Sequence, residues 1–191
     1  MGYLPDYTTE VVPTNPRDNL VSTVDTINKM VVLVRESVSS PIVITTAESI
    51  VSGIGKTNPT EMDLLRGTFW WCKHHLTFKE DEAALQQDFG VQDLGTGKEL
   101  LLSPSFLLSM FKPTGDCDDY STLIASLLKL MGFQQVGFRT IAADPFDVDC
   151  FTHVYVVVQL GNGELYPIDA SHGPFPGWQS EVVFKHHDWW I

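Results

Sequence analysis

The stretch TGDCDDY (114–120) sets one thiol, Cys117, among the carboxyl groups of Asp116, Asp118 and Asp119, at the start of an apolar run that stops at Gly132. A thiolate attacks carbonyl carbon. An imidazole can take the thiol proton and later hand it to a leaving amine, and a carboxylate can fix the imidazole tautomer. Both partners follow in the chain: His153 within CFTHVYVVVQL (150–160) and Asp169 near the end of ELYPIDA (164–170). Between them lies Gly161–Asn162–Gly163, a hairpin turn signal. In a hairpin centred there, residue i opposes 324 − i, so 153 faces 171 and Asp169 becomes its diagonal neighbour on the same face. The spacing therefore permits a His–Asp pair on adjacent strands. The helix that begins at Cys117 has to bring its N-terminus to them.

The charges around the thiol oppose one another. A helix N-terminus supplies about half a positive charge, which favours thiolate. Asp118 and Asp119 in the first turn favour the helix by about 0.3–1 kcal/mol each when exposed, yet they disfavour a thiolate beside them. Successive helical residues point about 100° apart. The expectation is that these carboxylates face solvent or bind backbone N–H groups while the sulfur faces His153.

Helices precede strands along the chain. Residues 1–17 hold Pro5, Pro13 and Pro16 and read as an irregular arm. Residues 18–38 place Leu20, Val24, Ile27, Val31, Val34 and Val38 at helical steps, with Asp18 as cap. Residues 40–55 are rich in β-branched residues, but Pro41 at the start and Gly53 and Gly55 at the end favour helix. In 58–78, Thr60 and Asp63 form a capping box, and Leu64, Leu65, Thr68, Phe69 and Cys72 make one face. Residues 80–99 read as an acidic, glycine-rich loop, 103–112 as a short helix and 117–131 as the next. The period then changes to two, giving strands over 135–143, 150–160, 164–170 and 181–191. The pattern is α+β with an antiparallel sheet, divided as an arm with helices (1–55) and a catalytic domain (56–191).

Composition narrows the function. The 191 residues carry a formal net charge of −12, and no basic stripe suits nucleic acid or an anionic membrane. No run approaches the ~18 apolar residues of a membrane span. The N-terminal stretch has no signal-peptide pattern. Three cysteines without a CxxC pair favour a reduced compartment, with Cys72 and Cys150 as core thiols. Adjacent histidines (His74–His75, His186–His187) point apart on any one element, and the Asp116–Asp119 stretch lacks the EF-hand pattern, so no metal or other cofactor is expected.

GDCDDYSTLIASLLKLMGF (115–133) resembles the nucleophile helix of the transglutaminase-like superfamily. THVYVVVQLGNGELYPIDAS (152–171) resembles its histidine and aspartate strands, and FWWCKHHLTFKED (69–81) its upstream aromatic helix. The three segments occur in family order over about residues 60–171. The resemblance implies a papain-like α+β fold with the nucleophile helix packed on a C-terminal antiparallel sheet. It implies a Cys117–His153–Asp169 triad, with Trp70 and Trp71 as oxyanion-hole or cleft candidates beside the Cys117 N–H. It implies acyl transfer as a peptidase or amidase on peptide or isopeptide bonds of a protein or peptide substrate. Tyr155 stands where the family often has Trp, and Phe111 where papain-type enzymes carry Gln. The alternative is a structural or assembly component on the same fold, for example of a phage particle, with a protein partner for the N-terminal arm. The expected location is the cytoplasm, or the virion for a phage protein.

Overall fold

The computed structural model describes residues 9–13, 19–80 and 98–191. Asp18 and residues 81–97, most of the expected acidic loop, lie outside the described residues. The helices are α1 (Asn19–Ser37), α2 (Pro41–Ile54), α3 (Glu61–His75), α4 (Pro104–Ser109) and α5 (Cys117–Leu130). The strands are β1 (Thr9–Pro13), β2 (Thr77–Phe78), β3 (Lys98–Leu102), β4 (Thr114–Gly115), β5 (Val136–Ala142), β6 (His153–Gln159), β7 (Leu165–Ile168) and β8 (Lys185–Trp190). The class is α+β, and the main sheet is antiparallel in the order β7-β6-β5-β8. No single helix among the described residues is long and apolar enough to cross a membrane.

Helix starts follow their local chemistry. Thr60 and Asp63 form the anticipated capping box of α3. A second box opens α5: Asp116 is the N-cap, and Asp119 at the third position returns a bond to the Asp116 N–H. Pro41 opens α2, and Gly55 closes it with φ 69°.

α5 is the central element. Every residue from Asp118 to Leu128 is buried, as expected of a helix enclosed on all sides. It packs against α1, α2 and α3 and lies on β6 and β5. Leu123, Ile124, Leu127 and Leu128 join Ile27, Met30, Val43, Ile50, Leu65 and Phe69 in one core, with Val136, Phe138, Val156 and Val158 of the sheet. The division expected at 55/56 thus coincides with the α2 cap rather than with a break in the core.

Three expectations are corrected. The arm is not wholly irregular: β1 pairs antiparallel with β3, Thr9 opposite Leu102 and Pro13 opposite Lys98. Pairing across nearly ninety residues leaves no local trace, and the same pairing makes Lys98 and Glu99 strand rather than loop. The inner face of α1 is also rotated. Met30, Leu33 and Ser37 are buried with Ile27 and Val34, whereas Leu20 is 53% exposed. The reason is that Ser22, Thr23 and Thr26 face a cavity, so polar residues occupy inward positions there. Finally, Cys72 is buried as expected, but Cys150 is only partly buried and lines that cavity; all three thiols are free.

Candidate active site

The β6–β7 hairpin sets the histidine and its carboxylate. Val156 pairs with Ile168 and Gln159 with Leu165, the register that centring on Asn162 requires. The turn closes through the Gly163 N–H donating to Leu160 O, with Gly163 at φ 86°, a conformation that favours glycine. β7 stops at Ile168, one residue before Asp169, while His153 is the first residue of β6 and pairs with Ile141 of β5. The diagonal pair forms: His153 Nε2 lies 2.8 Å from Asp169 Oδ2. Asp169 Oδ1 accepts from the Ser171 hydroxyl at 2.7 Å and the His172 N–H at 2.9 Å. Burial works to raise the Asp169 pKa, but the His153 bond and charge and these two donors overcome it and hold the carboxyl below its ordinary value. With Nε2 engaged by Asp169, Nδ1 is the ring nitrogen left for a reacting group.

Helix α5 brings the thiol. Ser121, one turn beyond Cys117, donates to Cys117 O at 2.6 Å and reaches Val154 O at 3.2 Å, which ties the helix start to β6. The Val154 backbone also hydrogen-bonds the Cys117 sulfur, one residue from His153. Cys117 and His153 line one cavity of about 350 Å³, bounded by α1, Thr140 and residues 150–154. The Cys117 N–H is at the first helical position, where no intrahelical acceptor exists.

The two first-turn aspartates part ways. Asp118 and Asp119 are 3% and 2% exposed, so neither faces solvent. Asp119 takes the other anticipated course and binds backbone: Oδ1 accepts from Leu102 N–H at 2.7 Å and Oδ2 from Asp116 N–H at 3.4 Å. Asp116 Oδ1 accepts from Asp118 N–H at 3.2 Å. Asp118 instead meets Glu99 of β3, and its Oδ1 is buried without a hydrogen-bond partner among the described residues. Burial, then the charges of Asp116 and Asp119, push the Asp118 carboxyl far up. Burial and Asp116 push Glu99 up to about 7. Burial first, then the Asp116 charge, also raises the Cys117 thiol, against the Val154 bond that lowers it. The helix end therefore does not win at this thiol, which rests protonated.

Trp70 and Trp71 stay apart from the cavity. Trp70 is 42% exposed and stacked on His74, and Trp71 is stacked on His75. Their helix reaches the site through Lys73, whose ammonium donates to Ala170 O at 3.2 Å. Other residues stand nearer. His172 packs edge-on against His153 with ring centres 4.4 Å apart, and Phe78 packs against His172 at 4.9 Å. Burial, then the His153 charge, lowers the His172 pKa. The sequence offered one hint of His172: it lies three residues after Asp169, the spacing of an Asp side chain bonding a following N–H. Glu99 gave none.

No protein-family model matches the chain, and no curated protein matches it.

Proposed function

We propose that the chain is a thiol acyl-transfer enzyme of the transglutaminase-like, papain-like type, a peptidase or amidase acting on peptide or isopeptide bonds. The observation that carries this reading is one cavity shared by a cysteine at a helix start and a histidine already bonded to a buried aspartate.

In this reading the Cys117 thiol gives its proton to His153 Nδ1 as Sγ bonds to the substrate carbonyl carbon. The Cys117 N–H, at the open start of α5, donates to the oxyanion. The C–N bond then breaks, the amine leaves with the proton from His153, and a thioester remains on Cys117. Water or a second amine attacks the thioester. It gives its proton to His153, which returns it to the departing sulfur. Asp169 steadies the imidazolium in both halves. Because burial and carboxylates keep the thiol protonated, deprotonation accompanies attack instead of preceding it.

The test uses an activated acyl donor. Incubation with p-nitrophenyl acetate should add one acetyl group at Cys117, seen by peptide mass mapping, and hydroxylamine should remove it. An adduct found equally on Cys150, or none on Cys117, would overturn the reading.

A further inference from the structure

Asp169 serves two histidines. Its Oδ2 lies 2.8 Å from His153 Nε2, and its Oδ1 accepts from the Ser171 hydroxyl at 2.7 Å and the His172 N–H at 2.9 Å. Ser171 Oγ also lies 3.0 Å from His172 Nδ1. A serine hydroxyl carries one proton, and an ionised carboxylate only accepts. The Ser171 proton is therefore committed to Asp169, and its oxygen must accept from His172, which puts a proton on His172 Nδ1. By the same rule His153 carries its proton on Nε2 and leaves Nδ1 open.

The surroundings hold the His172 ring in place. It meets His153 edge-on with ring centres 4.4 Å apart, and Phe78 of β2 packs on it at 4.9 Å. Lys73 of α3 donates to Ala170 O at 3.2 Å and to Ser171 O at 3.4 Å, which fixes the backbone just before it. The Gly173 N–H donates to Asp169 O at 2.9 Å, and a Cβ at Gly173 would collide with that oxygen, so the turn that presents His172 is tight. The charged groups facing the ring are His153 of β6, Asp169, Lys73 and, at the α5 cap, Asp116. Burial first, then the His153 charge, lowers the His172 pKa from its ordinary 6.5. A fixed positive charge this close to His153 would oppose the imidazolium on which both halves of the proposed reaction depend, and a neutral ring does not.

We propose that His172 is a positioning residue for His153: a neutral, Nδ1-protonated imidazole that, with Ser171, fixes Asp169 Oδ1 and packs against the His153 ring. Its effect on rate rests on the acyl-transfer reading; its tautomer and its coupling to His153 do not.

The experiment has two arms, both on the full chain. Nitrogen-15 NMR of histidine-labelled protein near pH 8 reads the ring nitrogens directly. His172 should carry its proton on Nδ1, and Ser171→Ala should move the balance towards Nε2–H. The His172 titration midpoint should rise in His153→Ala, where the neighbouring charge is gone. The second arm measures kcat and KM on an activated acyl donor at the same pH. His172→Asn, whose amide N–H can replace the Nδ1–H, should stay within about twofold of wild type. His172→Phe keeps ring packing but loses the donor, and should lower kcat about three- to tenfold. His172→Arg adds a fixed charge and should lower kcat by about tenfold or more. KM should change by less than about twofold throughout. An Nε2–H tautomer at His172, or a midpoint unchanged in His153→Ala, would overturn the proposal. So would equal kcat in folded Asn, Phe and Arg variants. No acyl transfer in the wild type would overturn the acyl-transfer reading and the positioning role with it, while the NMR arm still decides the tautomer and the coupling.

Discussion

Two sets of carboxyl groups flank Cys117, and they are solved in opposite ways. On the β7 side, buried Asp169 has each oxygen bonded, to His153, Ser171 and His172, and its pKa is held low. On the β3 side, Asp118 is also buried and Glu99 partly so, but they crowd one another and Asp116, and their pKa values are pushed up. Burial is common to both. The difference lies in the donors: an imidazole, a hydroxyl and an N–H converge on Asp169, whereas carboxyl groups converge on Asp118. One side is finished without any ligand, and the other keeps protons in place of missing positive charge.

The largest effects should come from the finished side. In the proposed enzyme Cys117→Ala abolishes turnover and His153→Ala comes close to it. Asp169→Ala costs on the order of 10²–10⁴ in rate, and Asp169→Asn falls between Ala and wild type, because the amide can still accept from the imidazole. Steady-state kinetics on an activated acyl donor reads all four. Wild-type turnover in Asp169→Ala would remove that residue from the site. If all three positions can be replaced without loss of biological function, the assembly-component reading takes its place.

Next comes the fit of the helix start. A Cβ at Gly115 would come within 2.5 Å of Asp119 Oδ2 and 2.7 Å of its Cβ. Gly115→Ala should displace the carboxylate that holds the Asp116 and Leu102 N–H groups and destabilise by about 1–3 kcal/mol. Chemical denaturation measures this. An unchanged midpoint would show that the Asp119 cap is dispensable.

Titration should then separate the two sides by sign. A raised folded pKa stabilises at low pH, and that stability is lost as pH rises. For Glu99 the loss runs from its ordinary 4.5 to about 7. Glu99→Gln should therefore match wild type below pH 4.5 and exceed its Tm by a few degrees at pH 8. Asp169 is lowered from 3.8, so its contribution is present above that pH and fades as pH falls through the lower folded value. The deficit of Asp169→Asn relative to wild type should accordingly shrink in acid. Parallel pH–Tm curves for the two variants would break the comparison.

The smallest effect is a control away from the cavity. Arg139 holds Asp188 through two bonds of 2.6 and 2.7 Å, joining β5 to β8. The side chains are 13% and 19% exposed, so a double-mutant cycle should give a coupling of about 1 kcal/mol, with turnover unchanged. A large loss of turnover would mean that the far edge of the sheet positions the site.

What was readable in the sequence was local. Gly161–Asn162–Gly163 and the alternation around it set the hairpin register, and that register permits the His153–Asp169 contact. Thr60 with Asp63 gave the start of α3. Contacts made by distant segments were hidden. Glu99 lies in a stretch that reads as loop, and only β3 carries it to Asp118. Ser22, Thr23 and Thr26 line a cavity on α1, so a search for an apolar stripe turned that helix the wrong way. Asp118 and Asp119 read alike as first-turn acids that face solvent or bind backbone N–H groups; Asp119 takes the second course, and nothing local marks Asp118 as the one with an oxygen buried unpaired among the described residues.

The central claim is that His153 activates Cys117 despite the carboxylates around it. Differential alkylation tests this most directly: limiting iodoacetamide across a pH series, with peptide mapping of Cys72, Cys117 and Cys150 in wild type and His153→Ala. The account predicts that Cys117 is labelled ahead of Cys72 and Cys150, that its rate climbs with pH beyond neutrality because the thiol is raised, and that its lead disappears in His153→Ala. A Cys117 labelled no faster than Cys150, or equally fast without His153, would contradict it.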